Sequence, residues 1–186
     1  MKTSASVAYD MAEHRHRFSI WAAARAAQRG CRGCDTDTLR HALENSGIRE
    51  FLKTANFHGL NEERFDKLHR QWCTSITNFL KAKRVDVRFG RAAKLVGVYL
   101  KSFAVLGGGD GAAPLARLAH PPIDRSLLEL PKEKSKWRKA AWTKLTESQY
   151  YELISDLRKL LEKDEPFWKL EKCFMANKAT PRQRKG

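Results

Sequence analysis

Apolar residues recur at steps of three and four positions along most of this chain, the spacing of one face of an α-helix. In the clearest segment, which Asn61 opens as an N-cap, the stripe consists of Phe65, Leu68, Trp72, Ile76 and Phe79. Further helices are predicted over 7–29, 38–45, 48–56, 91–106, 124–130, 146–163 and from 166 onward. The one alternating run, 85–89, is too short to build a sheet. The sequence therefore predicts an all-α fold.

The length of 186 residues fits one helical domain. We assign this domain to residues 1–178 and expect a basic, disordered tail over 179–186. A basic and helical stretch is expected over 132–142.

The charge is strongly unbalanced, with 36 Lys and Arg against 21 Asp and Glu and a net charge of +15. A polyanion concentrates against such a surface without specific contacts, so nucleic acid is the leading partner and an anionic membrane surface a weaker second. No run approaches the about 20 apolar residues of a membrane helix. The first residues carry no apolar signal-peptide core, and we expect a cytoplasmic protein.

The four cysteines are few and unevenly spaced. Cys31 and Cys34 form a CxxC motif without a matching second half, and Cys73 and Cys173 lie far along the chain. Structural zinc sites normally show paired ligand spacings, so reduced thiols are favoured over a zinc site. No metal and no cofactor are expected.

The segment 90–101 is apolar around most of its circumference, and Lys94, Gly97 and Lys101 share the remaining stripe. A helix with so many apolar residues is expected to be largely buried. The stripe of Lys94, Gly97 and Lys101 should then face a cleft or the surface. Gly97 would let another segment approach the backbone closely. The helix N-terminus and partial burial both favour a neutral amine at Lys94, which can act as a nucleophile. The alternative is a solvated stripe of lysines whose stems lie along the surface.

Asp124 stands at the start of the next helix, after the stiff dipeptide Pro121-Pro122. Carboxylates commonly cap helix N-termini, and this is the plain interpretation of Asp124. Capping and catalysis are compatible, because the same geometry fixes the carboxylate in place.

Together these two segments resemble the active-site pair of the helix-hairpin-helix DNA glycosylase superfamily. That superfamily places a lysine in the second helix of the hairpin and an essential aspartate beyond an intervening loop. Residues 93–101 are similar to the lysine helix of the archaeal 8-oxoguanine glycosylase branch, and 122–125 to its Pro-Val-Asp segment. The separation of 124 − 94 = 30 residues is closer to that branch than to the endonuclease III branch.

The resemblance covers about 40 residues and has two departures. The usual Gly-hydrophobic-Gly hairpin is not clear before Gly90, and the four-cysteine iron–sulfur pattern is missing. The resemblance implies a compact multi-helix glycosylase-like domain with a variant helix-hairpin-helix. Its implied activity is excision of a base that has been flipped out of double-stranded DNA.

In that activity Asp124 would stabilise the oxocarbenium character of the sugar as the glycosidic bond breaks. Lys94 would attack the anomeric carbon in a bifunctional enzyme, or hold a phosphate in a monofunctional one. A flipped base needs flat walls, and the superfamily tends to close its base pocket with terminal helices. The candidate pocket residues are Phe18, Trp21, His120 and Trp168.

Two basic clusters flank the pair and predict contacts with DNA phosphates. The candidates are Arg88, Arg91, Lys101, Arg125, Lys136 and Arg138. The small size and the charge resemble stand-alone bacterial members that attack phage DNA carrying glucosylated hydroxymethylcytosine, with 8-oxoguanine repair as the competing substrate. We expect a monomer in the bacterial or archaeal cytosol, associated with the nucleoid. The alternatives are a non-enzymatic helical DNA- or RNA-binding module and a protein-interaction adaptor.

Overall fold

The structure, a computed structural model, describes residues 9–54, 57–107, 111, 113–131 and 135–173. Over these residues the chain is helical and contains no strand, which confirms the all-α prediction. The α-helices are α1 (Met11–Gln28), α2 (Thr36–Glu44), α3 (Ile48–Thr54), α4 (Glu62–Ala82), α5 (Phe89–Leu100), α6 (Pro114–Leu118), α7 (Arg125–Glu129) and α8 (Glu147–Arg158). A π-helix, Lys101–Leu106, continues α5, and 3₁₀ helices span Lys136–Lys139, Trp142–Lys144 and Phe167–Lys172.

Helix α5 is the centre of the fold and packs against α1, α4, α8 and the 3₁₀ helix at 142–144. Most of its residues are apolar, and all but two of them, Lys94 and Val98, are buried. Helix α1 presents Ala23, Ala24 and Ala27 to the core. Small side chains let two helix backbones approach closely, which places α5 against α1 along its length.

Two polar contacts show that α1 and α5 run in opposite directions. Near the start of α1, His16 Nδ1 lies 2.8 Å from the hydroxyl of Tyr99, near the end of α5. At the other end, the Arg91 guanidinium donates to carbonyl oxygens of Ala27, Arg29 and Gly30. Arg91 therefore satisfies carbonyl groups that the C-terminus of α1 leaves without helical partners.

Glycine sets the two closest approaches to α5. At Gly90, a Cβ atom would overlap the carbonyl oxygen of Trp142. At Gly97, a Cβ atom would lie 3.1 Å from the Cα of Pro122 and 3.3 Å from the carbonyl oxygen of His120. The expectation that Gly97 admits another segment is confirmed, and that segment is the chain leading to Asp124.

The starts of α4 and α8 agree with the sequence because caps are local, whereas α1, α2 and α5 begin at Met11, Thr36 and Phe89 rather than at residues 7, 38 and 91. The side chain of Asn61 accepts a hydrogen bond from the Arg64 amide at 2.9 Å. Thr146 and Gln149 form the expected capping box. The connector 85–89 is not a strand.

Helix ends and types differ more from expectation. The predicted helix 91–106 changes from α to π at Lys101. The final helix is a 3₁₀ helix, the helix 146–163 ends at Arg158, and α6 was not predicted. Residues 132–134 and the predicted tail 179–186 lie outside the described residues.

The structure joins Cys31 and Cys34 in a disulfide, so the expectation of reduced thiols at these two positions is wrong. Gly33, with φ of +79°, gives the turn the left-handed residue it needs to bring the cysteines together. Cys73 and Cys173 are free and buried.

None of the described helices is both long enough and apolar enough to span a membrane.

The contact between His16 and Tyr99 predicts an acid-sensitive fold. Burial lowers the pKa of His16 from 6.5 to about 4. The stabilising contribution of neutral His16 is therefore complete above pH 6.5 and is lost as the pH falls toward 4. We expect the loss to reach about 3 kcal/mol, measured as the free energy of unfolding by urea across this range.

His16→Gln removes this titration while keeping a group that can hydrogen-bond to Tyr99. The variant should lose less stability on acidification than the native chain. His14→Gln, which alters an exposed histidine of the same helix, is the control and should titrate like the native chain. Equal acid sensitivity in all three proteins would contradict the prediction.

Candidate active site

The structure brings the two predicted catalytic residues together. Lys94 Nζ lies 3.7 Å from Asp124 Oδ2, although the residues are 30 positions apart in the chain (124 − 94). The lysine side chain is 11% exposed and the aspartate 30% exposed. The amine is therefore almost enclosed, whereas the carboxylate keeps an open side.

The same short segment holds both groups in place. Asp124 Oδ1 accepts hydrogen bonds from the amides of Ser126 and Leu127 at 3.0 and 3.3 Å, so it caps α7 as the sequence indicates. Lys94 Nζ donates to the carbonyl oxygen of Pro122 at 2.9 Å. This segment crosses α5 at Gly97. Backbone packing therefore places Asp124 beside Lys94, in addition to the attraction between their opposite charges.

An aromatic ring forms another wall beside the amine. The centroid of Trp142 lies 5.7 Å from Lys94 Nζ and 5.5 Å from Cζ of Arg91. The 3₁₀ helix that carries Trp142 packs on α5 at Gly90. A cation near an aromatic face is attracted by its quadrupole, so Trp142 orients both side chains.

A second pair of charges completes the stripe. Lys101, two turns after Lys94, donates to Glu171 in the C-terminal 3₁₀ helix. The Glu171 side chain is 10% exposed, and burial raises its pKa against the opposing effects of Lys101 and Lys94.

Burial lowers the pKa of Lys94 below its ordinary value of 10.5, while the nearby charges of Asp124 and Glu171 act in the opposite direction. The neutral amine is therefore more available here than at a solvated lysine. A neutral amine beside a carboxylate can attack an electrophilic carbon and pass its surplus proton to that carboxylate.

His120 lies in the interior of the fold, and its role as a pocket wall stays a prediction. Its side chain is fully buried, with Nε2 2.9 Å from Asp66 and Nδ1 3.2 Å from the Tyr150 hydroxyl. Burial lowers the pKa of His120, which favours the neutral ring. Arg158 binds Asp66 through two hydrogen bonds of 2.7 and 2.8 Å. His120 thus belongs to a structural network, because a buried polar side chain must be hydrogen-bonded.

The three aromatic pocket candidates lie in different surroundings. Phe18 and Trp21 are exposed on the outer face of α1, with ring centroids 5.8 Å apart. Trp168 is half-buried and donates from Nε1 to the carbonyl oxygen of Gly111 at 2.9 Å. Residues three apart share a face of a 3₁₀ helix, so Trp168 lies on the same face as Glu171. Their roles in a base pocket stay predictions.

Of the predicted phosphate contacts, Arg91 is the one that lies in the interior of the fold, and its contact with DNA stays a prediction. Its side chain is buried and committed to the end of α1, since a sequence pattern cannot show that this cation turns inward. The remaining candidates keep exposed or partly exposed side chains. They are Arg88, Lys101, Arg125, Lys136 and Arg138, of which Lys101 pairs with Glu171, Arg125 with Glu129 and Lys136 with Glu152.

Two cavities lie near the far ends of α6 and α8, away from the pair. One of about 360 Å³ is lined by Arg117, Arg158 and Phe167 among others, and one of about 480 Å³ by Trp168 and Lys169 among others. Neither is lined by Lys94 or Asp124. The candidate site is therefore the contact between Lys94 and Asp124 rather than either of these two open clefts.

Glu171 is the residue of this site that sequence reasoning missed. It stands among several lysines and glutamates near the chain end, and nothing in that pattern marks it. Its contact with Lys101 joins residues 70 positions apart, which only the folded chain reveals. No cluster of three or more potential metal ligands occurs among the described residues.

Comparison with known proteins gives no match, whether the chain is compared with family models, with curated proteins or with solved structures.

The burial of Arg91 yields a prediction that separates structural from surface cations. Arg91→Gln should lower the free energy of unfolding by about 2–3 kcal/mol, because it leaves carbonyl groups at the end of α1 without donors. Arg88→Gln, three residues earlier and exposed, should change stability by less than about 0.5 kcal/mol. Urea unfolding measures both.

In a DNA-binding measurement, Arg88→Gln should have the larger effect of the two variants. It should weaken binding and reduce the dependence of binding on salt concentration. A folded Arg91→Gln variant of native stability would show that the buried contacts are not structural.

Proposed function

We propose that this protein is a DNA glycosylase that flips a modified base out of double-stranded DNA and cleaves its glycosidic bond. The observation that carries the proposal is the contact between Lys94 and Asp124, an enclosed amine 3.7 Å from a carboxylate. The resemblance of the surrounding segments to the glycosylase superfamily supports the same reaction. An abasic site and a free base are the products.

Asp124 supplies the part of the chemistry that every version of the mechanism needs. As the bond to the base breaks, positive charge develops at the anomeric carbon, and a fixed carboxylate stabilises it. Asp124 is suited to this because two backbone amides hold one oxygen and leave the other toward Lys94.

Lys94 supplies the nucleophile in the bifunctional version of the reaction. Its neutral amine forms a bond to the anomeric carbon, the base leaves with the electron pair of the glycosidic bond, and the amine transfers its proton to Asp124. In the monofunctional version water attacks instead, and Lys94 holds a phosphate. Its lowered pKa favours the first version, because a phosphate ligand gains from staying charged.

The charge of the chain supports DNA as the substrate. A net charge of +15 draws a polyanion to the surface. Arg88, Arg125 and Lys136 are exposed cations available to phosphates. The base itself is glucosylated hydroxymethylcytosine of phage DNA or 8-oxoguanine, and this refinement rests on the resemblance alone.

The alternative is a helical DNA- or RNA-binding module without catalytic activity. The observation that favours it is that both groups already have structural partners. Asp124 caps α7, and Lys94 is bonded to the carbonyl oxygen of Pro122. The two proposals differ in whether abasic sites form.

The carboxylate gives the first test. Asp124→Asn should slow base release at least about 100-fold, scored as abasic sites in phage DNA carrying glucosylated hydroxymethylcytosine and in DNA carrying 8-oxoguanine. Asparagine caps helices as well as aspartate does, so the fold should be kept.

Asp35→Asn is the matched control, since Asp35 caps α2 through a hydrogen bond to the Thr38 amide at 2.6 Å. If Asp124→Asn releases base as fast as this control, Asp124 is not catalytic. Absence of abasic sites with the native protein on both substrates, alongside tight DNA binding, would favour the binding module.

The amine gives the second test. In the bifunctional version, the bond between the anomeric carbon and the ring oxygen breaks after the base has left, and the opened sugar is joined to Lys94 as an imine. Borohydride reduces this imine and leaves a covalent protein–DNA adduct. Lys94→Gln should abolish the adduct, which gel electrophoresis detects. Lys159→Gln should retain it, because Lys159 is exposed, pairs with Asp156 and is not among the candidate DNA contacts. An adduct of undiminished yield in Lys94→Gln would rule out this nucleophile.

A further inference from the structure

The stripe of α5 holds two lysines and two carboxylates that form one electrostatic group. Lys94 faces Asp124 at 3.7 Å, and Lys101 contacts Glu171. The four formal charges sum to zero. All four side chains are at least two-thirds buried, since Lys94 and Asp124 are 11% and 30% exposed and Lys101 and Glu171 are 33% and 10% exposed.

Glu171 is a buried partner for the half-buried Lys101. Most ion pairs among the described residues place at least one exposed side chain in water, where screening weakens the interaction. Glu171 instead lies nearly enclosed, and its charge reaches beyond Lys101 to both members of the Lys94–Asp124 pair. Partly buried charges are screened much less, so removing one of them changes its neighbours.

We propose that Glu171 is a positioning residue of the Lys94–Asp124 site. Its carboxylate balances the positive charge of Lys101, so that Lys101 does not favour loss of the proton from the Lys94 ammonium. The inference rests on the proposed function for its catalytic meaning, although its electrostatic part applies to the folded protein alone. The C-terminal 3₁₀ helix, Phe167–Lys172, then forms part of the active site.

The sign of the effect follows from the charges around the amine. Facing or adjoining Lys94 are Asp124 from the start of α7, Glu171 from the C-terminal 3₁₀ helix, Lys101 from the π-helix and Arg91 from the preceding turn of α5. Arg91 adds a positive charge that neither substitution changes. Without the Glu171 carboxylate the remaining three residues of the stripe group, Lys94, Lys101 and Asp124, carry a net charge of +1, which disfavours a charged amine. Without the Lys101 ammonium the stripe group carries −1, which favours one.

The two substitutions should therefore move the Lys94 titration in opposite directions. Glu171→Gln should lower the pKa of Lys94 by about one unit and Lys101→Gln should raise it by a similar amount. NMR of isotope-labelled lysine side chains follows the titration, and the resonance of Lys94 is assigned by its loss in Lys94→Gln. The Lys101→Gln variant keeps the test available if Glu171→Gln does not fold.

Glu165→Gln is the matched control. Glu165 is 12% exposed and lies 3.8 Å from both Lys169 and Lys172, so it resembles Glu171 in burial and in partner type. It should leave the titration of Lys94 unchanged. The inference is overturned if Lys94 titrates alike in the native and both stripe variants, or if Glu165→Gln moves it as far as Glu171→Gln does.

Covalent trapping then separates this inference from the proposed function. With an active bifunctional enzyme, Glu171→Gln should shift the pH profile of adduct formation to lower pH by the same amount as the Lys94 titration. A shifted titration without base release by the native protein upholds the electrostatic inference and contradicts the glycosylase proposal. Base release by the native protein, together with a Lys94 titration that the substitutions leave unchanged, supports the glycosylase proposal and contradicts the electrostatic inference.

Discussion

The approach of the segment 120–122 to the backbone of α5 at Gly97 is the contact on which the site depends. A side chain at position 97 would push against Pro122 and the carbonyl oxygen of His120. With glycine there, the Pro122 carbonyl reaches Lys94 and the chain delivers Asp124 two residues later. The opposite end of the same segment is fixed by His120 in its network with Asp66 and Arg158. Backbone packing on one side and a buried polar network on the other hold the carboxylate without requiring an attraction to the amine.

Much of the fold is readable from the sequence because its signals are local. N-caps at Asn61, Thr146 and Asp124 act on amides within three residues, and the apolar spacing of α4 identifies its buried face. The contact between Lys94 and Asp124 also agrees with expectation, though only the resemblance suggested it. The stripe on α5 and the proline-stiffened approach indicated two exposed or half-exposed charges, and neither pattern measures the distance between them.

Three side-chain positions that the sequence does not reveal share one physical origin, which is that sequence patterns do not show where a polar side chain turns. Arg91 belongs to a basic cluster by position, yet the carbonyl groups at the end of α1 attract it inward. His120 is in a loop by sequence, yet Asp66 and Tyr150 provide partners in the core. Glu171 gains its place from a lysine 70 residues away. In each case the partner that fixes the side chain belongs to another part of the chain. The contact between them forms only when the chain has folded.

The burial of the site explains why its charges are balanced rather than purely cationic. On a chain with net charge +15, a lone lysine in the apolar face of α5 would be both desolvated and repelled by its neighbours. Paired carboxylates offset that cost, and each does so in a different way. Asp124 is held by backbone amides and remains oriented when the amine changes charge. Glu171 is held by Lys101, so its position responds to the charge of the stripe itself. Asp124, beside Lys94, is thus fixed by the backbone, while the pair formed by Lys101 and Glu171 contributes to the electrostatic environment of both groups.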